Sequence, residues 1–454
     1  MQTLPSGERP EARGPTGLAL EPFRGVRYAP GRVSGLAEVT SPPYDVIAHD
    51  SEEQLLAADP HNVVRLILPP RDPSRPGEEY HDAARLLREW QDEGILVTED
   101  QPALYVYEQR LPGRGRSPEI IQRGLIGAVR LEPPAARIVL PHEHVMPGPV
   151  RGRRQLMEAT GANLEPIFLL YQGGDGSAAT RLCNELAATR PPLLNAITSD
   201  GARHALWAVT DPAELAAVAA DLAPRQALIA DGNHRYAAYL QMQSDHAGQA
   251  PGGMDPARPG PWDYGLALLV DAASFPPQIG AIHRVIPGLA PGDAVERAKA
   301  GFSVTALPGG PEALDDALDA LNAAGKAGAA FLVAGQGQVQ LLSGPDPVQV
   351  EAAMPAERSR RWRRLPTAVL QEFLLARLWG VADDERSVRV VHHDAARAIA
   401  EADAVPGGTA VICTPLDPSD VYDVAAGGEL LPRKSTSFAP KPRTGLVLRT
   451  LATD

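Results

Sequence analysis

The sequence predicts a mixed α/β protein with more than one domain. The chain has 454 residues, which is too long for one ordinary core, so two or three domains are expected. Hydrophobic residues make up 44% of the chain and charged residues 22%, a balance typical of a soluble globular protein. Short apolar runs typical of strands alternate with segments of helical periodicity. This alternation favours sheets covered by helices.

The charge balance and the cysteine content narrow the function classes. Acidic residues outnumber basic ones, 56 against 43, so we expect no nucleic-acid partner and no binding to acidic membranes. Cys183 and Cys413 lack metal-type spacing and are expected to be buried thiols. Residues 1–20 predict a disordered tail and no signal peptide, and no apolar run reaches about 18 residues. We therefore expect a cytoplasmic protein that binds a small molecule; the sequence leaves the oligomeric state open.

An N-terminal segment, residues 21–123, is predicted to pack on a central core. The predicted elements up to residue 131 are a helix at 51–59 capped by Ser51, a strand at 62–69, an amphipathic helix within 79–96 that ends near Gly94, and a hairpin of strands 103–111 and 123–131.

The central core, residues 124–290, and a C-terminal α/β lobe, residues 291–454, follow. The predicted core elements are helices at 149–160, 177–189 and 212–222, strands at 167–171, 204–210, 227–230 and 264–272, and a surface loop at 245–263. In the lobe, a strong helix is predicted at 365–381 and a buried strand at 407–415.

The stretch "QALIADGNHRYAAYL", residues 226–240, concentrates polar residues where a strand is predicted to turn into a helix. One interpretation is structural: Asp231 caps the helix, Gly232 supplies an unusual φ angle, and the other side chains are solvated. The other is a phosphate-binding corner, because the first N–H groups of a helix are unpaired and attract anions. In that case His234 and Arg235 add donors, and Asp231 holds Mg²⁺ or orients a substrate.

A second polar cluster is "PHEH", residues 141–144, with the arginine-rich helix start after it. Its structural interpretation is a polar loop leading into a helix with a solvated basic face. Two histidines beside a glutamate would also suit a metal, but their spacing differs from the i, i+4 spacing of helical zinc sites. The functional interpretation makes Glu143 a general base beside a phosphate-binding surface that includes Arg153.

Three further polar blocks have both a structural and a functional interpretation. His283 and Arg284 stand in the apolar strand "IHRVI", either as partnered side chains or as groups that close on a phosphate. Lys434 belongs to "PRKSTSFAPK", which suits an ordinary basic turn or an anion site but lacks the glycine-rich lead of a Walker loop. The prolines of "SPPYDVI" make a rigid turn that is either structural or presents Asp45 to a ligand.

The order of these blocks resembles a known bacterial family. "DGNHR" is similar to the "DGHHR" box of the ParB-like and sulfiredoxin-like nucleotide-binding superfamily, which includes free serine kinases. The chain is identified as a member of the family called domain of unknown function 1015 by nine blocks over residues 22–447: "PFRGVRY", "SPPYDVI", "NVVRLILP", "YHDAARLLREW", "RGLIGAVRL", "PHEH", "ADGNHRYAA", "IHRVI" and "LLPRKSTSFAPKPRTGLV". The resemblance implies a ParB/sulfiredoxin-like fold for the central core, with a C-terminal lobe that covers its cleft.

The resemblance to free serine kinases implies roles for the matching residues. Glu143 would deprotonate the acceptor hydroxyl, Asp231 would support Mg²⁺ and the substrate, and His234 would complete the catalytic set. Asn233 departs from the usual histidine of the box and cannot carry a proton. The residues expected to bind ATP or ADP are Gly232, Asn233, Arg235, Arg153, His283, Arg284 and Lys434.

The implied function is a nucleotide-dependent phosphotransferase that acts on a small hydroxyl metabolite, with free L-serine as the suggested acceptor. Two other classes stay open: a ParB-like nucleotide-binding switch or chromosome-associated protein, and a non-catalytic ligand-binding protein. The acidic net charge and the absence of a basic helix-turn-helix pattern favour the enzyme over a chromosome-associated protein.

Overall fold

The computed structural model describes residues 17–47, 49–70, 73–113, 119–174, 176–249 and 259–452. Within these ranges, helices pack against mixed sheets, which confirms the predicted α/β class. Residues 1–16 of the predicted tail lie outside the described residues. Leu18 and Leu20, which the tail prediction also included, are buried in the core.

The strands are, in chain order, β1 (Leu20–Glu21), β2 (Val26–Tyr28), β3 (Leu96–Thr98), β4 (Leu104–Leu111), β5 (Ile120–Arg130), β6 (Val139–Leu140), β7 (Ala162–Asn163), β8 (Ile167–Tyr171), β9 (Leu194–Ile197), β10 (Arg203–Val209), β11 (Ala227–Asp231), β12 (Tyr264–Asp271), β13 (Gln278–Gly280), β14 (Ile282–Ile286), β15 (Ser303–Leu307), β16 (Phe331–Gly335), β17 (Gln338–Ser343), β18 (Arg389–His392), β19 (Thr409–Cys413), β20 (Ser437–Ala439) and β21 (Arg449–Thr450).

The α-helices are α1 (Leu36–Val39), α2 (His49–Ala58), α3 (Val64–Ile67), α4 (Glu78–Asp92), α5 (Pro147–Thr160), α6 (Ala178–Thr189), α7 (Pro212–Leu222), α8 (Asn233–Gln249), α9 (Pro291–Ala298), α10 (Leu314–Gly325), α11 (Pro347–Ala353), α12 (Arg360–Arg364), α13 (Pro366–Ala368), α14 (Ala395–Asp403) and α15 (Pro418–Ala426). Helix α13 continues as a π-helix over Val369–Trp379.

The first sheet is built around β4 and β5, whose antiparallel pairing confirms the predicted hairpin. Its strand order is β6-β11-β8-β12-β5-β4-β10-β9, and β1 also pairs with β5. Successive side chains of β4 belong to different cores, since Leu104 and Val106 pack with α5, α6 and α8, whereas Tyr105 and Tyr107 face the C-terminal lobe. Both faces of this sheet are therefore covered.

The second sheet has the strand order β15-β17-β16-β19-β14-β18; β14 comes from the predicted central core, and the other five strands come from the C-terminal lobe. Its pairs are antiparallel, as in the register that joins Phe331 of β16 to Cys413 of β19. One apolar cluster contains Tyr105 and Phe168 of the first sheet together with Phe331 and Phe373 of the lobe. The two sheets thus share a continuous core.

The end of the chain returns from the lobe to the first half of the molecule. Strand β20 pairs with β13, and β21 pairs with β7. Between them, Thr444 forms a bridge with Ser41, and Leu448 forms one with Val26. This return brings the segment that contains "RKSTSFAPK" beside the N-terminal region and the start of α8.

The strand prediction for residues 62–69 is wrong, because part of this run forms helix α3. Asn62 starts the turn: its amide donates to the Glu38 carbonyl over 2.6 Å, and its Oδ1 accepts from the backbone N–H of Val64 over 2.9 Å. Val64, Leu66 and Ile67 are all buried. Arg65 is the one charged residue of the run and is half-buried, and a single such position does not separate a short helix from a strand.

Three other local predictions need correction. Helix α2 begins at His49, so Ser51 lies in its first turn and is not the N-cap. The predicted helix at 365–381 is present but is mostly a π-helix, whose i→i+5 bonds the apolar pattern does not reveal. The first residues of the predicted loop at 245–263 extend α8 to Gln249, and residues 250–258 lie outside the described ranges.

Cys183 and Cys413 are buried free thiols, as predicted. Burial raises the pKa of the Cys183 thiol to about 12 and that of Cys413 to about 11, so neither is a reactive thiolate at neutral pH. Within the described parts of the chain, every helix is too short or too polar to cross a bilayer.

Candidate functional site

The site is centred on the corner where β11 ends and α8 begins, which confirms the predicted strand–turn–helix. Gly232 forms the turn with φ of +95°, a left-handed conformation that favours glycine. A Cβ at this position would lie 2.9 Å from Cγ2 of Ile167 and 3.1 Å from Nε of Arg235. Glycine is therefore required both by the backbone and by the close packing of β8.

Asp231, the last residue of β11, is buried and binds two cations. Its Oδ1 lies 2.5 Å from Nζ of Lys441, and its Oδ2 lies 2.5 Å from Nη2 of Arg235. Lys441 also binds Asp45 over 2.6 Å. Burial and the neighbouring Asp45 raise the pKa of Asp231, against the effect of the two cations. Asp231 therefore serves as an internal counter-ion, and each of its oxygens already has a cationic partner.

Arg235 is also enclosed. Its Nη1 donates to the Pro166 carbonyl over 2.6 Å, and its Nε is buried without a hydrogen-bond partner. Although burial opposes the effect, Glu165 and Asp231 raise the pKa of Arg235. Both Nη atoms have protein partners and the side chain is buried, whereas Nε is unpaired, so the phosphate contact of this guanidinium stays a prediction.

Arg153 lies in the same buried layer, where it donates to the Ile67 carbonyl over 2.8 Å and stands 3.5 Å from Glu165. The Tyr44 ring packs 4.1 Å from its guanidinium carbon, and the backbone N–H of Tyr44 donates to Glu165 over 3.0 Å. Burial raises the pKa of Glu165, against the effects of Arg235 and Arg153. The "SPPY" turn, residues 41–44, thus holds Arg153 and Glu165 in place through Tyr44.

The "PHEH" loop meets the corner on its more open side. Nδ2 of Asn233 donates to Oε1 of Glu143 over 3.2 Å, so the two polar clusters predicted from the sequence come together. Oδ1 of Asn233 is buried and has no hydrogen-bond partner. Because the Glu143 side chain is only half-buried, a ligand can reach its carboxylate.

His142 joins this loop to the C-terminal segment. It lies 2.6 Å from the Ile229 carbonyl through Nδ1 and 2.7 Å from Oγ1 of Thr436 through Nε2. Burial lowers the pKa of His142, so the ring is neutral at pH 7. A carbonyl only accepts, so Nδ1 carries the proton and Nε2 accepts from the Thr436 hydroxyl. The "RKST" loop, residues 433–436, therefore contacts the site through Thr436.

His234 is the half-buried imidazole of the site. Its Nε2 accepts from the backbone N–H of Met146 over 3.0 Å. Burial, with a smaller contribution from Lys434, lowers the pKa of His234, although Glu143 opposes them. The proton consequently sits on Nδ1, which can donate to a ligand but cannot accept a proton from one.

His283 and Arg284 lie in a layer behind the "RKST" loop. Nδ1 of His283 accepts from the backbone N–H of Cys413 over 3.2 Å. Arg284 donates to the carbonyls of Arg433 and Lys434 over 2.9 and 3.1 Å and stands 3.5 Å from Asp383. Both residues are buried, so the structure gives them the partnered arrangement that was one of their two interpretations.

Sequence reasoning assigned no role to Glu165, and it placed Tyr44 and Lys441 only in candidate turns. A carboxylate immediately before the apolar run "PIFLLY" was the available signal for Glu165, since a buried charge requires a partner. Within the described residues, no group of three or more His, Cys, Asp or Glu side chains is arranged to hold a metal ion. The site instead combines carboxylates with cations, as in the contacts of Asp231 with Arg235 and Lys441, and with hydrogen-bond donors.

Comparison with known proteins identifies the family. The family model described as "Protein of unknown function (DUF1015)" matches residues 20–368, so the chain belongs to this family, as its motifs predicted. No curated protein gives a significant match.

The solved structures that resemble the chain do so only distantly. A free serine kinase in complex with ADP is 15% identical, with 66% of this chain and 84% of the kinase covered and a TM-score of 0.31. A conserved hypothetical protein from Pyrococcus furiosus is 14% identical, with 70% and 94% covered and a TM-score of 0.32. SbnI from Staphylococcus aureus, with a C-terminal truncation, is 10% identical, with 71% and 87% covered and a TM-score of 0.34. At these values the resemblance assigns no activity to this chain.

Proposed function

We propose that the protein binds ATP or ADP at the β11–α8 corner and transfers a phosphoryl group to the hydroxyl of a small metabolite. L-Serine is the acceptor suggested by the likeness of "DGNHR" to the box of the free serine kinases. The observation that carries the proposal is the hydrogen bond of 3.2 Å between Asn233 and Glu143. It joins a half-buried carboxylate to a helix N-terminus, where phosphate groups bind well.

The phosphate-binding groups in this proposal differ from those expected from the sequence. The unpaired N–H groups at the start of α8 and the Nδ1–H of His234 would contact the transferring phosphate. Lys434 adds a positive charge, because it is close enough to lower the pKa of His234, after the larger effect of burial. Arg153, Arg235 and Arg284 would act indirectly, by holding the "SPPY" turn, the corner and the "RKST" loop in place.

Mg²⁺ fits the site only in part. Asp231 is unsuitable as a ligand, since Lys441 and Arg235 occupy its oxygens. The buried Oδ1 of Asn233 lacks a partner, and together with Glu143 it offers the oxygen donors that Mg²⁺ prefers. An ion that arrived with the nucleotide would neutralise charge on the phosphate oxygens.

In the proposed reaction, Glu143 acts as the general base. The acceptor oxygen forms a bond to the terminal phosphorus as the bond from phosphorus to the nucleotide's bridging oxygen breaks. The acceptor's hydroxyl proton moves to the Glu143 carboxylate, and the shortened nucleotide leaves with the bonding electrons. His234 cannot take this proton, because Met146 already donates to its Nε2.

The test is direct detection of a new phosphoester. Purified protein is incubated with Mg²⁺, with ATP or ADP in turn, and with a pool of hydroxyl metabolites that includes L-serine, and ³¹P NMR follows the products. The Glu143→Gln variant preserves the shape of the side chain but removes the base. Its matched control is Glu357→Gln, which changes an exposed glutamate away from the site.

We expect a phosphoester with the wild type and the control, and a rate at least about 100-fold lower with Glu143→Gln. Nucleotide binding without any phosphoester would reject the transferase and favour a non-catalytic ligand-binding protein. Binding of neither nucleotide would reject the phosphate-binding corner itself. Retention on DNA at moderate salt would instead favour the chromosome-associated class.

A further inference from the structure

A separate cleft of about 270 Å³ lies between the "SPPYDV" turn, the end of β4, the start of β10 and the returning C-terminal segment. Its carbon-rich wall is formed by Pro42, Pro43, Val46, Leu111 and Pro440. A cavity of this size accommodates a small metabolite. The cleft meets the candidate site described above at Lys441, which binds Asp231, and at Phe438, whose ring packs against His142.

Arg443 contributes a positive charge to this cleft. Its Nε donates to Oγ1 of Thr40 over 2.8 Å, and its Nη2 donates to the carbonyls of Thr40 and Ala37 over 2.8 and 3.3 Å. In the part of the chain that the structure describes, no carboxylate forms an ion pair with this guanidinium, and Nη1 has no protein partner. Arg443 is therefore a rigidly held cation whose Nη1 is left to donate to a ligand.

Neutral hydrogen-bonding groups surround Arg443. The backbone N–H of Arg443 donates to the Tyr107 hydroxyl over 3.3 Å, and that hydroxyl lies 2.9 Å from Nδ1 of His204. Burial, followed by the charge of Arg443, lowers the pKa of His204 to about 4, so the imidazole is neutral at pH 7. Gln109 also lines the cleft, and among the described residues only Tyr107 hydrogen-bonds to its side chain.

Asp200 adds a negative charge to the cleft. It lines the same space and accepts from the Thr198 hydroxyl over 2.5 Å and the backbone N–H of Ala202 over 3.2 Å. These two bonds help to lower the pKa of Asp200, although burial opposes them, so it carries a negative charge at pH 7. A dianion such as phosphate is repelled by Asp200 and attracted by Arg443 more strongly than a monoanion is, so the expected preference for an organic carboxylate over phosphate rests on the carbon-rich wall.

We infer that this cleft binds a small organic monocarboxylate, with its carboxylate on Arg443 and its carbon skeleton against the proline-rich wall. Nη1 of Arg443 can donate a charge-assisted hydrogen bond to the carboxylate, and the surrounding amide and hydroxyl groups provide further hydrogen bonds. The inference is independent of phosphoryl transfer, because none of the residues that carry it belongs to the proposed catalytic set.

The test measures the binding of three probes, butyrate, L-lactate and inorganic phosphate, by ligand-detected NMR up to about 50 mM, a range that covers weak millimolar affinities. Two variants alter the cleft. Arg443→Gln removes the cation, and Val46→Trp fills the cleft from its rim, where Val46 is 50% exposed. The matched controls are Arg389→Gln, an exposed arginine of β18, and Val348→Trp, whose valine is 77% exposed on α11.

We expect saturable binding of at least one of the two carboxylates by the wild type and both controls, with phosphate at least about tenfold weaker. Arg443→Gln and Val46→Trp should each weaken carboxylate binding at least about tenfold. Arg443 also holds Thr40 in place, so Arg443→Gln could unfold the protein. In that case the test rests on Val46→Trp alone. Absence of carboxylate binding to the wild type, unchanged binding in Val46→Trp, or tighter binding of phosphate would overturn the inference.

Discussion

The outer and the inner residues of the "DGNHR" motif differ in how their polar groups are paired. Asp231 and Arg235 are buried, bind each other over 2.5 Å, and have further partners in Lys441 and the Pro166 carbonyl. Asn233 and His234, which lie between them, face the "PHEH" and "RKST" loops, and Oδ1 of Asn233 has no partner. One motif therefore provides a structural ion pair and an incompletely satisfied, ligand-accessible side.

This difference shows why residue type alone does not identify a phosphate-binding residue. An arginine beside a helix N-terminus suits phosphate in isolation, yet a buried guanidinium must first satisfy the carboxylates packed around it. Here Glu165 and Asp231 determine the role of Arg235. The groups left for a ligand are those that the surrounding loops do not fully pair.

Removal of Arg235 tests the structural ion pair of the motif and should have the largest effect on stability. Arg235→Ala leaves Asp231 short of one partner and removes one of the two positive charges beside Glu165, so that Arg153 alone remains there. We expect the free energy of unfolding to fall by about 3–5 kcal/mol, as measured by urea denaturation. Arg389→Ala on exposed β18 should change it by no more than about 0.5 kcal/mol. A variant of normal stability would mean that Arg235 is not structural.

Glu143→Gln tests the open side, where we expect a loss of activity and little loss of stability. Glutamine retains an oxygen for the Asn233 hydrogen bond but cannot take a proton. The phosphoryl-transfer rate should fall at least about 100-fold, equivalent to about 3 kcal/mol of activation free energy, with the free energy of unfolding unchanged within about 1 kcal/mol. Equal losses of activity and stability would contradict the proposed distinction between the structural ion pair and the ligand-accessible side of the motif.

The buried imidazole of His283 should make the stability of the protein depend on pH. Burial, with a contribution from Arg284, lowers the pKa of His283 to about 4, below its ordinary value of 6.5. Between these values the unfolded chain binds more protons than the folded one, so stability rises with pH and is lost as pH falls from 6.5 towards 4. For His283 the loss should be on the order of 2–3 kcal/mol.

The His283→Asn variant isolates this contribution, because asparagine can accept from the Cys413 N–H but does not titrate. The measurement is urea denaturation of both proteins at several pH values. The wild type should lose more stability than the variant over this window. Parallel pH profiles would show that His283 does not contribute.

The smallest expected effect comes from Thr436, which links the two loops of the open side. Thr436→Val preserves the shape but leaves Nε2 of buried His142 without its donor. We expect a loss of about 1–2 kcal/mol in the free energy of unfolding and weaker nucleotide binding, whereas Thr436→Ser should retain both. If valine and serine behave alike, the hydrogen bond does not position the loop.

Local patterns predicted most of the elements around the site. The hairpin of β4 and β5, the amphipathic helix α4 and the turn from β11 into α8 are present as predicted, since each had a regular apolar period and a glycine at a break. The prediction failed at residues 62–69, a short apolar run in which the single charged residue, Arg65, does not define a helical or a strand period. It also placed the start of α2 at Ser51, two residues after the helix begins.

The sequence by itself determined the α/β class, the family and the two polar clusters, because these depend on apolar periodicity and on short contiguous motifs. Only the tertiary structure decided which polar side chains are paired with one another and which can meet a ligand. Lys441 and Asp45 are 396 residues apart in the chain, yet they lie 2.6 Å apart beside Asp231. Such a contact depends on how the chain's end returns to its beginning, and no local pattern of residues contains that information.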